Sequence, residues 1–150
     1  MQPDEISGAI RAKFPAVTEE AGTRTLVTPR ESLLDVARYL KVPPLALDNL
    51  HCITAIDRKE KIEVVYTLYS LCEHHGVTLK VSLSPQDLNV ASLSGLWKSA
   101  NWLEREVYDL FGIVFLGHPD LRRILNPYDW KAYPLRKDYS NPEFIAKPRY

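Results

Sequence analysis

The middle of the chain contains three neighbouring segments that favour β-strands. The segments are LHCITAID (50–57), KIEVVYTLYS (61–70) and VTLKVSL (77–83). In the third, apolar and polar residues alternate from Val77 to Leu83, which predicts a strand with one buried face. The polar run RKEK (58–61) between the first two segments predicts a hairpin-like turn. Any fold of this chain must therefore accommodate an antiparallel sheet that is covered on one face.

Helical patterns precede these strands. An amphipathic pattern over residues 4–14, stopped by Pro15, predicts a short helix. In TPRESLLDVARYL (28–40), Thr28 is the predicted N-cap and Glu31 completes a capping box. The buried stripe of this second helix is predicted to be Leu33, Val36, Ala37 and Leu40, with Pro43 and Pro44 ending it. Between the two helices, residues 16–27 have β-forming residues on both sides of Gly22 and predict two short strands.

A third helix is predicted after the strands. A short helical turn capped by Ser92 is expected over residues 92–98, followed by a firmer helix from Ser99 to about Phe111. Gly112 is the expected C-terminal stop. The apolar stripe of this helix is predicted to be Ala100, Leu103, Val107 and Leu110, widened by Phe111.

Beyond residue 120 the composition changes. Residues 121–150 contain four prolines and seven Lys or Arg residues against three acidic ones, which disfavours regular structure there. We therefore expect a single α+β domain with a mostly antiparallel sheet, helices packed on one face, and an extended Pro-rich C-terminal arm. The core domain is predicted to span residues 1–120 and the basic arm residues 121–150.

Bulk composition excludes several classes of function. Lys plus Arg and Asp plus Glu both number 19, so no net field attracts nucleic acid or an anionic membrane. Two cysteines outside any CxxC pair indicate reduced thiols in an intracellular protein. No N-terminal apolar run predicts a signal peptide, and no apolar stretch reaches the ~20 residues of a membrane span.

The stretch EREVYDLFGIVFLGHPDLRRIL (104–125) has the charge density of an active site. On a helix, Arg105 and Asp109 are four apart and are predicted to be neighbours on its surface. An acid–base pair of Glu104 and Glu106 is disfavoured because residues two apart point about 200° apart on a helix. His118, between Gly117 and Pro119, is predicted to lie in a turn and to bond to backbone.

The residue types also suggest two other kinds of site. A metal site would need Cys52, Cys72, His74 and His75 together. In the predicted hairpin, however, Cys52 lies opposite about Thr67 and not Cys72. The basic, aromatic-rich arm could suggest nucleic-acid binding, but the balanced charge of the whole chain favours an arm that docks on a protein partner. We expect such an arm to obtain its ordering energy from that partner.

The charged stretch, followed by PLRKDY (134–139), resembles the signature of the 30-kDa subunit family of respiratory complex I, the C-subunit family of proton-pumping NADH–quinone oxidoreductase. The resemblance extends over roughly residues 30–145. It departs from the family pattern at Ala132-Tyr133, where a Gly-His-like pair is common, and at Ser140, where a proline is common. Related subunits also occur in membrane-bound hydrogenases and other complex-I-like enzymes.

This resemblance implies a scaffold component of the quinone module of a multisubunit oxidoreductase, with no catalytic residue, cofactor or metal in this chain. Flavin, iron–sulfur clusters and quinone would belong to partner subunits. The implied partners are the 49-kDa-type (D-type) subunit and the terminal-cluster (B-type) subunit, with no nucleic acid and with membrane contact only through partners. The implied location is the cytoplasmic face of the bacterial membrane. The predicted partner interface comprises Glu104, Arg105, Asp109, His118, Arg122, Arg123, Arg136, Lys137, Asp138 and Tyr139.

Overall fold

One mixed sheet organises the fold. The computed structural model describes residues 3–141, apart from the side chain of Pro3. The part of the predicted arm at residues 142–150 lies outside the described residues. The elements are α1 (Pro3–Lys13), β1 (Thr18–Glu19), β2 (Thr25–Val27), α2 (Leu33–Lys41), β3 (Asn49–Asp57), β4 (Ile62–Ser70), β5 (His75–Leu83), β6 (Asn89–Ala91), α3 (Ala100–Phe111) and β7 (Val114–Leu116).

The main sheet has five strands in the order β1-β2-β5-β4-β3. All of its pairs are antiparallel except β2 with β5, which are parallel. The predicted hairpin of β3 and β4 is confirmed, and Cys52 lies opposite Thr67 as its register requires. Along β4, Val64, Tyr66 and Leu68 face the core and are buried. In β5, the predicted apolar positions Val77, Leu79, Val81 and Leu83 are all buried, but Lys80 on the opposite face is buried too. The strand begins two residues before the predicted one.

The helices supply the other side of the core. In α1, Ile6 and Ile10 are fully buried. In α2, the four residues of the predicted stripe are the buried ones, Leu33, Val36, Ala37 and Leu40. No helix within residues 3–141 combines the length and the hydropathy that crossing a bilayer requires.

The predicted capping box at the start of α2 is wrong. A short 3₁₀ turn at Arg30–Ser32 precedes α2, and no side chain caps either element. The Thr28 hydroxyl has no hydrogen-bond partner among the described residues. The Glu31 carboxylate accepts instead from Arg30 Nε at 3.1 Å. The reason is that Thr28 is held against β5, where its N–H donates to the Lys80 carbonyl at 2.8 Å.

The sequence did not predict a second, two-stranded sheet. Strands β6 and β7 pair in parallel, with Val90 opposite Phe115 and both buried. A parallel pair needs a crossover, and here α3 provides it. In the connection before α3, the predicted turn is present but is not a helix. Its Ser94 N–H donates to the Ser92 hydroxyl at 3.1 Å.

The predicted end of α3 is confirmed. Gly112 adopts the left-handed conformation with φ +78°, and its N–H donates to the Tyr108 carbonyl. The Tyr133 ring packs directly over Gly112, so that a Cβ placed there would lie 2.5 Å from the ring. Residues 117–141 then continue as turns and irregular backbone, without a helix or strand in the described part.

We predict that Gly112→Ala destabilises the fold more than Gly22→Ala does. Both glycines have φ near +80°, but nothing lies within 4 Å of a Cβ at Gly22. The control should therefore cost about 1 kcal/mol, which is the backbone cost alone. Gly112→Ala must also displace Tyr133 and should cost about 2 kcal/mol or more. Urea denaturation of both variants measures the difference, and equal losses would contradict the packing of Tyr133 over α3.

Candidate functional site

Helix α3 carries three buried ionisable side chains. Glu104 and Asp109 are fully buried, and Arg105 is 5% exposed. The prediction that Arg105 and Asp109 form a surface pair is therefore wrong. Each of them bonds to another segment of the chain, because a buried charge needs partners that a single helix turn does not supply.

The Asp109 carboxylate binds the beginning of the C-terminal segment. Its Oδ2 accepts backbone N–H groups from Ile124 at 3.1 Å, Leu125 at 2.8 Å and Asn126 at 2.8 Å. Its Oδ1 accepts from the Asn126 side-chain amide at 3.0 Å and from Arg123 Nη1 at 2.7 Å. Five N–H groups thus converge on one carboxylate.

These bonds keep Asp109 ionised. Burial alone would raise its pKa. The hydrogen bonds from Asn126, Arg123 and Leu125 outweigh burial and hold the pKa of Asp109 well below its usual range.

Arg123 extends the same attachment along the chain. Besides the carboxylate, its Nη1 donates to the Asp109 backbone carbonyl at 2.9 Å. Its Nη2 donates to the Ala132 carbonyl at 2.9 Å, and its guanidinium lies 5.1 Å from the centroid of the Tyr133 ring. The Arg123 guanidinium therefore links α3 to residues 132 and 133.

Arg105 binds the same segment from its carbonyl side. Its Nε donates to the Arg122 carbonyl at 3.2 Å, and its Nη2 donates to the Arg123 carbonyl at 3.3 Å. The guanidinium also lies 5.0 Å from the centroid of the exposed Trp102 ring. The segment after residue 121 is therefore held at two places. The Arg105 guanidinium binds the carbonyls of 122 and 123, and the Asp109 carboxylate binds the N–H groups of 124–126.

Glu104 binds a different element. Its Oε2 accepts from the Ser92 hydroxyl at 2.6 Å, and its Oε1 accepts the Leu93 N–H at 2.6 Å. Both donors lie directly after β6. Burial raises the pKa of Glu104 to about 7, against the lowering effect of these two bonds.

His118 occupies the turn after β7, as predicted, and bonds to backbone. Its Nδ1 accepts the Asp120 N–H at 3.0 Å, which leaves Nε2 to donate to the Asn101 carbonyl at 3.0 Å. No cluster of three or more potential metal ligands occurs within residues 3–141.

Further along, Lys137 and Leu135 attach the C-terminal segment at two more points. The Lys137 N–H donates to Asp57 Oδ2 at the β3–β4 turn, at 2.8 Å, and the Leu135 N–H donates to the Leu110 carbonyl at 3.0 Å. Arg136 forms a two-pronged pair with the exposed Asp138. The described part of the segment is thus attached to the last turn of α3 and to the end of β3.

Between these attachments, the segment exposes apolar side chains. Tyr128 is 94% exposed, Leu125 is 63% exposed and Leu135 is 52% exposed. Residues 121–141 carry five basic side chains against two acidic ones. We call the exposed side chains of Leu125, Tyr128, Trp130 and Leu135 the arm surface. Its apolar and aromatic character is typical of a protein–protein interface.

Comparison with known proteins decides the family. Residues 26–144 match the family described as "Respiratory-chain NADH dehydrogenase, 30 Kd subunit". This chain belongs to that family. A curated relative from Geobacter sulfurreducens, named as the C subunit of NADH-quinone oxidoreductase, is 44% identical over 138 residues, which is 87% of this chain and 85% of the relative.

A relative from Proteus mirabilis is named as a C/D subunit of NADH-quinone oxidoreductase. It is 38% identical over 151 residues, which is 91% of this chain but only 25% of that relative. The matched region is therefore one part of a much longer chain there.

Two solved structures have the fold of this 30 Kd-family chain. A trypsin-resistant fragment (1-134) of Nqo5 has a TM-score of 0.68 at 35% identity, covering 81% of this chain and all of the fragment. A chain of the membrane-bound sulfane sulfur reductase, an archaeal respiratory membrane complex, has a TM-score of 0.75 at 27% identity, covering 91% of this chain and 85% of its own.

The predicted interface residues of this 30 Kd-family chain fall into three groups. Glu104, Arg105 and Asp109 are buried, and they bond within the chain. Arg122, Lys137 and Asp138 are exposed, whereas His118, Arg123, Arg136 and Tyr139 are partly buried. The contact of these residues with a partner remains a prediction.

Sequence reasoning missed the partners of the α3 charges. They include the backbone N–H groups of 93 and 124–126 and the carbonyls of 122 and 123. Backbone donors leave no pattern in the sequence. The available signals were side chains: Asn126 and Arg123 bond to Asp109, and Ser92 bonds to Glu104.

We predict that Asp109→Asn costs about 3–5 kcal/mol of unfolding free energy. The substitution keeps the shape, but it removes the buried charge on which the five N–H groups converge and leaves the partly buried Arg123 without its counter-charge. Asp35→Asn, which removes an exposed ion pair to Arg38, is the control and should cost at most about 0.5 kcal/mol. Urea denaturation at pH 7 measures both.

The pH dependence of that loss has a defined sign. The folded pKa of Asp109 lies below the unfolded value near 3.8. The stability from its ionised form is therefore present above pH 3.8 and is lost as pH falls through the folded pKa. The difference between wild type and Asp109→Asn should shrink from pH 5 toward pH 2. A difference that is constant with pH would contradict the assignment of an ionised Asp109.

Proposed function

We propose that this chain is the C-type component of a proton-translocating NADH-quinone oxidoreductase, where it is a structural subunit of the peripheral arm, in the quinone module. It would support electron transfer from NADH to quinone without carrying a redox centre. The observation that carries the proposal is the 44% identity to the Geobacter relative over 87% of the chain.

The site geometry supports a structural role for the charged signature. Asp109 is bonded by five N–H groups, Arg105 by two carbonyls, and Glu104 by a hydroxyl and an N–H. A general acid or base must reach its substrate within hydrogen-bond distance. Fully buried groups that already bond within the chain do not meet that requirement. We therefore assign no catalytic residue to this chain.

The same proposal assigns its partners and setting. The joining of C-type and D-type subunits in the Proteus relative supports a D-type subunit as the direct partner. We also propose contact with the B-type subunit, which carries the terminal iron–sulfur cluster. Flavin, iron–sulfur clusters and quinone would then belong to partner subunits, and the chain would reach the cytoplasmic face of the bacterial membrane through them.

The arm surface is the proposed contact with the D-type subunit. Hydrogen bonds to Asp109 and Asp57 order the backbone on both sides of it in the isolated chain. A preformed surface loses less conformational entropy on binding than a segment that folds on its partner. Removing residues 121–150 is accordingly a poor test, since it would also leave Asp109 and Arg105 buried without partners.

A second candidate is the equivalent subunit of a related complex, such as a membrane-bound hydrogenase or a sulfane sulfur reductase. The TM-score of 0.75 to the archaeal reductase chain supports this second candidate. Purification of the native complex through a tag on this chain separates the two. NADH:quinone activity in the eluate supports the first candidate, and sulfur-reducing or hydrogenase activity without it supports the second.

We predict that the double variant Leu125→Asp with Tyr128→Asp remains folded but loses at least about tenfold in its association with the D-type subunit. Both side chains are exposed, so charge there costs the free chain little, whereas burying it in an interface is unfavourable. Leu71→Asp, in the distant β4–β5 turn and 58% exposed, is the matched control.

Co-purification of the tagged chain with the D-type subunit measures the loss, and circular dichroism checks the fold. If the double variant and the control retain the partner equally, the arm surface is not the contact.

A further inference from the structure

Glu104 and Asp109 are both fully buried carboxyl groups on α3, but they have very different surroundings. Asp109 accepts five N–H groups, one of which belongs to a guanidinium. Glu104 accepts one backbone N–H and one hydroxyl. A buried carboxylate with so few donors is not compensated for its lost hydration, so it favours the neutral acid.

No cation pairs with Glu104 among the described residues. From the turn after β7, His118 Nε2 lies 4.0 Å from Oε2, but that N–H is directed to the Asn101 carbonyl at 3.0 Å. The other ring nitrogen accepts the Asp120 N–H and so does not carry a proton. On α3 itself, the Arg105 guanidinium is directed to the carbonyls of 122 and 123.

Strand β4 adds no compensation. The Tyr66 hydroxyl on β4 is buried and has no hydrogen-bond partner within the described residues. Burial raises the pKa of Tyr66 well above its usual value, and the charge of Glu104 raises it further. Tyr66 therefore stays neutral and supplies no charge or hydrogen bond that would compensate Glu104.

Two serines allow Glu104 to take up a proton without any heavy atom moving. The Ser92 hydroxyl lies 2.6 Å from Oε2 and 2.7 Å from the Ser94 hydroxyl, and it accepts the Ser94 N–H. When Glu104 is ionised, Ser92 donates to Oε2, and the Ser94 hydroxyl donates to Ser92. When a solvent proton binds Oε2, that O–H donates to Ser92, whose hydrogen turns to the Ser94 hydroxyl. Both states satisfy the Ser92 hydroxyl.

We propose that Glu104, with Ser92 and His118, forms a proton-dependent latch that joins α3 to the ends of β6 and β7 and is strongest when the carboxyl is protonated. Ser92 follows β6 directly, and His118 follows β7 after one glycine. Ser92 bonds to the carboxyl directly, and His118 bonds to the Asn101 carbonyl on α3 with its Nε2 4.0 Å from Oε2. The C-terminal ends of both parallel strands therefore lie beside this carboxyl. Loss of the proton leaves an uncompensated charge between them, which loosens the junction at alkaline pH. This inference does not rest on the proposed function.

Glu104→Gln is a direct test, because the glutamine amide reproduces the protonated state. Its NH₂ can donate to Ser92, and its carbonyl can accept the Leu93 N–H. Glu106→Gln, on the exposed side of the same helix, is the matched control. Urea unfolding of the full chain at pH 5, 6, 7 and 8 compares each variant with wild type.

The sign follows from linkage. The folded pKa of Glu104 is about 7 and the reference value is 4.5, so its stabilising contribution is complete below pH 4.5 and is lost as pH rises through 7. Relative to E104Q, the unfolding constant of wild type should rise about 70-fold from pH 5 to pH 8. The ratio for E106Q should stay within about twofold, because the exposed Glu106 side chain has nearly the same solvated surroundings in the folded and the unfolded chain.

Two results would overturn the latch. A ratio between wild type and E104Q that is flat with pH would show that the carboxyl does not bind a proton in this range. An E104Q chain that fails to fold at every pH would show that the ionised carboxylate is required. Carbon-13 NMR of the side-chain carboxyl groups of wild type provides a second measurement. A buried Glu carboxyl titrating near pH 7 supports the latch, and the absence of any such group titrating above pH 6 overturns it.

Discussion

The C-terminal part of this structure depends on the burial of one ionised carboxylate, that of Asp109. Removing a carboxylate from water costs several kcal/mol, and only a nearly complete set of donors offsets that cost. Four of its five donors are N–H groups of residues 124–126, and the fifth belongs to Arg123. The carboxylate and this short segment therefore stabilise each other, and neither is satisfied without the other.

Helix α3 connects two otherwise separate parts of the chain. Glu104 and Asp109 are five residues apart, which places them about 140° apart around the helix. One carboxyl faces the turn after β6, and the other faces the segment after residue 121. The apolar side chains Ala100, Val107 and Phe111 are buried in the core on the same helix. The helix thus has little solvent-facing surface, and this explains why Glu104, Arg105 and Asp109 do not form a surface pattern.

Local patterns in the sequence predicted the parts of the fold that are decided by residues close together in the chain. The β3–β4 register follows from a short turn, the α2 stripe from the helical period, and the end of α3 from a glycine with positive φ. The pairing of Arg105 with Asp109 failed because the rule for residues four apart describes an isolated, solvated helix. The strands β6 and β7 have three residues each, too few for a period to be recognised.

The site could be predicted only as a set of residues and not as an arrangement. Most partners of the α3 charges are backbone groups, which every residue except proline offers in full. The side chains at 124 and 125 could change without altering a bond to Asp109, whereas Asp109 itself has no equivalent substitute. A dense run of charged residues such as 104–125 can therefore serve to hold irregular backbone against a helix. It does not by itself indicate catalysis on a substrate. Where two such carboxyl groups differ in their number of donors, as Asp109 and Glu104 do, the donor count decides which one keeps its charge and which one binds a proton.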